Sequence, residues 1–460
     1  MGIKDTIAAI STPMGEGGVG MIRLSGAASL EIADRIFRPT GGKRPSDCAS
    51  HTVHHGYIAE PGAGEVADEA LVTVMRSPRT FTTEDTVEIT CHGGVATTRK
   101  VLQLCLGQGA RLAEPGEFTK RAFLSGRIDL SQAEAVLDVV RSRTDAFRRI
   151  AVDQLRGVFS EEVRKLRGAV IDILAAIELS IDFTEEDVDF SGPEKVIALT
   201  RSAASSLGHI LETSDRGIIM RCGASVVICG RPNVGKSSLM NALLRHDRVI
   251  VTPVAGTTRD IVEESINIAG VRVRLSDTAG MIETDDRVEM EGIRRSKEKL
   301  QSADAVIFMI DSSQDLSEKD IEIHRTLEGK DIVVAANKTD LPRRLDIKRA
   351  EERFGAPIME ISALERTGLE GIEDALALKL LKGDPAPPEG PVVTSLRHKE
   401  LLERASRCLE RAMETAQENY NGELVASDLN EAVHYLGLII GESVEDGVLD
   451  RIFSEFCIGK

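Results

Sequence analysis

The segment Gly230-Arg-Pro-Asn-Val-Gly-Lys-Ser237 constrains this chain more than any other, because it fits a single local architecture. Its glycine spacing, lysine and hydroxyl are those of a phosphate-binding loop. Gly230 and Gly235 let the backbone turn tightly and aim N–H groups at phosphate oxygens. Lys236 brings a point charge to the outer phosphates, a catalytic as well as a binding role. Ser237 offers a hydroxyl to Mg²⁺. The apolar run Ser225–Cys229 predicts a buried strand just before the loop. Ser238–Leu244 predicts the helix whose positive end faces the anion.

Four more elements follow in a fixed order. Gly256-Thr-Thr-Arg-Asp260 offers a threonine hydroxyl to Mg²⁺, with Thr258 the choice. Asp277-Thr-Ala-Gly280 ends the strand-like run Val271–Ser276. Asp277 can hold the metal through water, and Thr278, Ala279 and Gly280 continue along the γ-phosphate. Asn337-Lys-Thr-Asp340 ends a second run, Asp331–Ala336. The Asp340 carboxylate can accept two N–H groups from guanine, which adenine cannot offer in that geometry; Asn337 and Lys338 flank it. Ser362-Ala-Leu364 completes the base pocket through Ser362, Ala363 and Leu364. Five elements in order, each at a strand end, specify a GTP-binding α/β domain, with Asn233, Val234, Gly235, Lys236, Ser237 and Ser238 around the phosphates.

Two gaps remain in the hydrolytic chemistry. Where Ras-like GTPases place a water-orienting glutamine, this chain has Met281, which cannot polarise water. Glu289 is a candidate replacement, though position alone also fits a surface helix carboxylate. Positive charge near the leaving oxygens is the second need. Asn233 could hold a monovalent cation there, or it could merely brace the loop.

The length, 460 residues, suggests about three domains. A net charge of -17 argues against a nucleic-acid coat, without excluding an RNA met by a local basic patch. Trp is absent and only three Tyr occur, which disfavours a stacking platform for single strands. Seven scattered cysteines without a secretory signal predict reduced thiols in a cytoplasmic protein. No run is long enough to span a membrane. Met1-Gly2 with Thr6, and the terminal Cys457-Ile-Gly-Lys460, match lipidation templates by letter only, since terminal Lys is not a usual acceptor and no polybasic second signal lies nearby.

Residues 1–118, rich in glycine and β-branched residues, predict an α+β module with strands at Val19–Ser25 and Thr86–Cys91. Residues 119–215 turn helical, with Val163, Leu166, Val170, Leu174 and Ile177 on one stripe. The acidic stretch Asp182–Asp189 reads as a solvated loop rather than a metal site. Residues 216–382 alternate strand and helix, the mark of a doubly wound sheet. Gly383–Pro391 reads as a stiff linker. Helix returns over 383–460, with stripes Leu402, Ala405, Leu409, Ala412 and Leu429, Val433, Leu436, Ile440. The expected architecture is therefore multidomain: an α+β N-terminal domain, an all-helical domain, and an α/β P-loop GTPase domain inserted into the latter.

On Gly230–Ser238, Thr252–Asp260, Asp277–Gly280, Gly17-Gly-Val-Gly20 with Arg23, Pro115-Gly-Glu-Phe118 and Cys457-Ile-Gly-Lys460, the whole chain resembles the MnmE (TrmE) family of tRNA-modification GTPases. The resemblance implies a homodimer whose GTPase domains meet during hydrolysis. It implies K⁺ coordination by Asn233, Thr252, Val254 and Thr257, and Glu289 as general base. It implies a 5-formyltetrahydrofolate site in the N-terminal domain, standing for a methylene-tetrahydrofolate donor, at Arg23, Glu84, Arg127 and Lys460. A folate's carboxylates suit arginine and its pterin edge suits a carboxylate. Glu84 alone would otherwise read as a cap or loop carboxylate. Arg127 stands where some members have lysine, which keeps the charge and changes donor geometry. Lysine often follows Ser-Ala where this chain has Leu364, so guanine stacking there rests on backbone contacts. Cys457 falls in the tail that the resemblance places in the active centre. It is a candidate nucleophile or adduct carrier, although Phe453 and Phe456 nearby favour its burial.

Three other signals are set aside. Gly15–Gly20 matches a dinucleotide fingerprint by letter, but a strand rather than a helix follows it. Cys48, His51, His54 and His55 lack the second pair that a closed zinc site needs, which Cys91-His92 could supply only by an accident of folding. Arg141, Arg143, Arg148 and Arg149 read as a solvated helix face. The expected function is GTP-driven modification at carbon 5 of the wobble uridine, position 34, of certain tRNAs. By resemblance it needs an FAD- and NADH-dependent MnmG-type partner in a heterotetramer. The rival is a regulatory ribosome-assembly GTPase in the manner of Era or Der, but such a protein should carry an RNA module after its nucleotide domain. Here acidic helix follows. A third, weaker reading is a folate-binding protein whose GTPase is only structural.

Overall fold

The computed structural model describes residues 5–182, 193–246, 265–277, 299–386, 388, 390–418 and 420–460. The chain divides into two compact units. The described residues of the first are 5–137 and 440–460.

That first unit is an α+β module. Its strands are β1 (Ile7–Ile10), β2 (Gly17–Ser25), β3 (Phe37–Pro39), β4 (Thr52–Ala59), β5 (Val66–Met75), β6 (Thr86–Gly93) and β7 (Arg111–Leu112), in the spatial order β3-β4-β5-β6-β2-β1-β7. All pairings are antiparallel except β1 with β7. Helices α1 (Ser29–Ile36) and α2 (Val95–Gly107) cover one face, where Ile32, Ile36, Val101 and Cys105 pack on Ile22, Val72, Val87 and Ile89. Two further helices, α3 (Glu117–Leu124) and the start of α4 (Leu130–Arg141), belong to this unit. So does the C-terminal helix, Asp446–Ser454, whose Leu449 and Phe453 share a core with Ala122, Leu130 and Ala133.

The second unit joins a helical layer to a six-stranded sheet. Its first helices are α5 (Asp145–Leu155), α6 (Val158–Asp182), α7 (Pro193–Glu212) and α8 (Ser214–Cys222). The Thr144 hydroxyl caps α5 by accepting the Phe147 amide at 3.3 Å. The predicted α6 stripe, Val163 through Ile177, is buried throughout. The strands are β8 (Ala224–Gly230), β9 (Ser265–Ile268), β10 (Val271–Asp277), β11 (Ala305–Asp311), β12 (Ile332–Asn337) and β13 (Ile358–Glu360), in the order β13-β12-β11-β8-β10-β9. All run parallel except the edge strand β9. Around this sheet lie α9 (Lys236–His246), α10 (Glu318–Thr326), α11 (Ile347–Phe354) and α12 (Leu369–Leu380). The long helices α13 (Leu396–Glu418) and α14 (Gly422–Ile440) return to the helical layer, where α13 packs along α7. The C-terminal helix Asp446–Ser454 is then α15. Strand β8 sits where the strand order reverses, with β10 on one side and β11 on the other. In open α/β sheets, ligands bind at the carboxyl ends of the strands at such a point.

The helical layer is fastened to the sheet inside this unit. Phe147, Ile150 and Ala151 of α5 belong to the same core as Val226, Ile268, Val271 and Val273. The buried Gln154 amide donates to the Val392 carbonyl at 2.8 Å and to Thr394 Oγ1 at 3.1 Å.

Candidate functional site

The phosphate loop leaves the end of β8 and enters α9, so its amides and the helix N-terminus converge on one point. Two glycines are obligatory. At Gly230 (φ 146°) a Cβ would lie 2.3 Å from the Met309 carbonyl oxygen. At Gly235 (φ 99°) it would lie 2.3 Å from Asn337 Nδ2. Lys236 Nζ donates to the Gly230 and Arg231 carbonyls at 3.0 and 2.9 Å, which hold the ammonium over the loop. Asn233 has a left-handed backbone (φ 64°) and an exposed side chain that makes no hydrogen bond among the described residues. It therefore braces nothing there.

Ser237 Oγ donates to Asp277 Oδ2 at 3.0 Å. The other oxygen, Asp277 Oδ1, is buried without a partner among the described residues. A buried carboxylate oxygen left unpaired is costly, and a hydrated divalent cation satisfies it. A hydroxyl and a carboxylate side by side are hard oxygen donors, so this pair fits Mg²⁺.

The base-side loops are tied to the phosphate loop by one residue. The buried Asn337 donates from Nδ2 to the Val234 carbonyl at 2.8 Å and accepts the Ala363 amide at Oδ1 at 2.9 Å. Ser362 Oγ donates to Asp340 Oδ1 at 2.5 Å, fixing one carboxylate oxygen and leaving the other for a ligand. Leu364 is 81% exposed. The Ala363 amide is thus committed to Asn337, and Asp340 is the polar group this pocket can present. Lys338, also left-handed (φ 70°), pairs with Asp311 at 2.7 Å. Burial alone would raise the Asp311 carboxyl, but Lys338 and the Ser313 hydroxyl and amide outweigh it and hold the group below its ordinary value. Sequence reasoning missed Asp311, although its place at the carboxyl end of β11 is a signal.

In the first unit, Arg23 lies opposite Glu88 across β2 and β6 and pairs with it at 2.8 Å. Arg23 also donates to the Gly459 carbonyl at 3.4 Å, and Ser11 Oγ donates to the same oxygen at 3.2 Å. A bridge between Pro115 and Ile458 completes the anchoring of the tail. Arg23 and the segment ending in Lys460 are thereby brought together. Phe453 and Phe456 are buried as expected, but Cys457 is exposed, which corrects the reading that the two rings bury it.

Glu84 belongs to a buried ionic cluster that the sequence did not reveal. Arg121, 2% exposed at its side chain, donates from Nη1 to both Glu84 oxygens at 3.0 and 3.1 Å. Ser25 Oγ donates to Glu84 Oε2 at 2.7 Å. Arg121 Nη2 pairs with Asp5 at 2.8 Å and Glu117 at 2.9 Å, and Arg111 holds the same two carboxylates at 2.6 and 2.5 Å. Burial works against the charge on Arg121, but Glu117 and Glu84 more than compensate and raise its pKa. The only advance signal was the four-residue spacing of Glu117 and Arg121 on one helix. Arg127 touches none of these groups; its guanidinium lies 4.9 Å from the Phe81 ring centroid. Cys48 Sγ sits 3.8 Å from His54 Nδ1. Among the described residues no three His, Cys, Asp or Glu side chains are placed to hold a metal.

Residues 130–457 match the MnmE helical domain, and residues 6–127 match the GTP-binding protein TrmE N-terminus. The tRNA modification GTPase MnmE of Geobacillus kaustophilus is 46% identical over 458 residues, 99% of each chain. That of Bacillus subtilis is 44% identical over 458 residues, 99% of this chain and 100% of its own. The chain belongs to the MnmE family of tRNA-modification GTPases. As a member it is a GTP hydrolase, and the donors of its phosphate loop and of the Ser237–Asp277 pair fit GTP and Mg²⁺. Thr252, Val254, Thr257, Thr258, Thr278, Ala279, Gly280, Met281 and Glu289 lie outside the described residues, as does most of the acidic stretch Asp182–Asp189. No helix among the described residues is long and apolar enough to cross a membrane.

Proposed function

We propose that this chain is the GTP-driven half of an enzyme that modifies carbon 5 of the wobble uridine, position 34, of certain tRNAs. Identity of 46% and 44% over 458 residues to the tRNA modification GTPases of Geobacillus kaustophilus and Bacillus subtilis is the observation that supports it. In this reading residues 1–118 bind folate and dimerise, 119–215 and 383–460 form the helical domain, and 216–382 form the GTPase domain. The chain works in the cytoplasm as a homodimer, joined in a heterotetramer to an MnmG-type partner that holds FAD and uses NADH. A methylene-tetrahydrofolate bound at Arg23, Glu84, Arg127 and Lys460 supplies the one-carbon unit, and Cys457 stands beside that site. Mass spectrometry of tRNA nucleosides from cells lacking the protein tests the reading. Loss of aminomethyl-type wobble uridines is expected; unchanged wobble uridines would sink it.

Hydrolysis divides among named groups. The loop amides and Lys236 bind and orient the phosphates, with Val234, Gly235 and Ser238 beside them. Ser237 and Thr258, with Asp277 through water, would hold Mg²⁺, which would neutralise charge on the outer phosphates. Asn337, Lys338, Asp340 and Ser362–Leu364 enclose guanine, and Thr278–Gly280 follow the γ-phosphate. Asn233, Thr252, Val254 and Thr257 would hold K⁺, which would supply the positive charge that an arginine finger supplies elsewhere. The exposed Asn233 side chain, which makes no hydrogen bond among the described residues, supports that assignment. Glu289 acts as the base that Met281 cannot be.

One assay reads both roles. GTP turnover is expected to rise when K⁺ replaces Na⁺. Asn233→Ala is expected to erase the difference, a loss of roughly 10²-fold in K⁺. Equal wild-type rates in both salts would remove the cation from the mechanism. Glu289→Ala is expected to keep GTP affinity and lose turnover by roughly 10²–10⁴-fold; a normal rate returns Glu289 to a surface helix.

A further inference from the structure

A cleft of about 530 Å³ opens in the first unit between the 75–83 loop and the turn after α3. Its walls include His51, Arg79, Phe81, Thr83 and Arg127, and no carboxylate lines it. That is unusual for a chain with 74 acidic residues against 57 basic ones. Elsewhere in the unit, Arg23, Arg111 and Arg121 are tied to carboxylates. Arg79 and Arg127 have no ion-pair partner among the described residues. Two uncommitted guanidinium groups around an aromatic floor form a site for a carboxylate-bearing ligand, since a guanidinium fork matches a carboxylate bidentately.

The rim of the cleft is tied to the backbone of Glu84. Thr80 Oγ1 donates to the Glu84 carbonyl at 2.7 Å, so the rim loop ends on that residue. Phe81 packs against the core that contains Phe118, and the Arg23 guanidinium lies 5.8 Å from the Phe118 ring centroid. Two rings thus run from Arg23 to Arg127. The rim is also backbone-strained: His51 (φ 62°) and Thr83 (φ 64°) are left-handed, and Thr83 is β-branched, for which that conformation is an outlier. Strain of this kind collects at ligand clamps.

We propose that this cleft binds the γ-glutamyl tail of a polyglutamyl folate whose pterin edge lies at Glu84. Each added glutamate contributes one α-carboxylate, and Arg79 receives one beyond the first. The proposal rests on the folate reading given above, and it goes further by naming the form of folate the protein selects.

Calorimetric titration of the full-length protein with 5-formyltetrahydrofolate as mono- and pentaglutamate tests it. The wild type is expected to bind the pentaglutamate about tenfold more tightly, the effect of one good charge-assisted pair. Arg79→Gln, an exposed and unpaired position, is expected to erase that advantage and to leave the monoglutamate Kd within about twofold. Equal wild-type affinities, or an advantage that survives Arg79→Gln, overturn the proposal. So does a variant that loses tRNA affinity instead, which would make the cleft a phosphate site. Failure of the wild type to bind even the monoglutamate would overturn the folate reading itself.

Discussion

Asp340→Asn is expected to lower GTP affinity by roughly 10²–10⁴-fold and to transfer the preference to xanthosine triphosphate. The carboxylate accepts two N–H groups from guanine, and each hydrogen bond to a charged group contributes about 1.5–3 kcal/mol. The amide presents an N–H₂ where an acceptor is required. One guanine donor is then unpaired in a closed pocket, and sites built on hydrogen bonds reject such mismatches strongly. Xanthine carries a carbonyl in place of the guanine amino group, which restores complementarity to the new donor. The fold should tolerate the change. Ser362 Oγ, 2.5 Å from Asp340 Oδ1, can donate equally to the amide oxygen, and Asn337 rather than Asp340 staples the loops. The measurement is competition of the two nucleotides against a fluorescent analogue. A variant that still prefers GTP would show that guanine is read by backbone groups. That alternative is already narrowed, because the Ala363 amide is occupied by Asn337.

The nucleotide site was legible because its chemistry is local. Each motif is a short run at a strand end, and parallel strands gather their carboxyl ends at one edge of the sheet. The helical layer was legible by period: the stripes on α6 and α13 face a core as their spacing requires. Contacts between distant residues were not legible. Strand β2 begins at Gly17, two residues before the apolar run. There the backbone approaches β6 so closely that a Cβ on Gly93 would lie 2.4 Å from the Gly17 carbonyl oxygen. No periodicity in a glycine run announces that. Cys457 was misjudged for a related reason: burial of the neighbouring rings Phe453 and Phe456 says little about the next side chain, which is exposed. The ionic cluster was hardest, since Asp5, Glu84, Arg111, Glu117 and Arg121 come from four separate segments.

That cluster gives a second large effect, on stability and on its pH dependence. Two guanidinium groups face three carboxylates, and Arg121 alone binds both Glu84 oxygens. Arg121→Met keeps most of the volume and leaves Glu84 without its ionic partner, while Glu117 keeps Arg111. Removing one member of a buried pair costs about 3–5 kcal/mol, on the order of 10 °C in Tm for a unit of this size. Asp5 is more exposed and adds little. Burial alone would raise the Glu117 carboxyl, but Arg111, the Glu114 amide and Arg121 hold it below its ordinary value. Its stabilisation is therefore complete above the unfolded value of about 4.3 and is lost as pH falls below it. In Arg121→Met that depression is weaker but keeps its sign, because Arg111 and the Glu114 amide still hold Glu117, so the wild type loses more than the variant as pH falls. The gap in Tm between wild type and variant is therefore expected to be widest near pH 7 and to close toward pH 4. Thermal melts of the full chain across that range decide the matter. A gap independent of pH would mean that Arg121 contributes packing, and that Glu84 keeps its position without it. A gap that closes makes Arg121 the ionic partner that holds the Glu84 carboxylate in place.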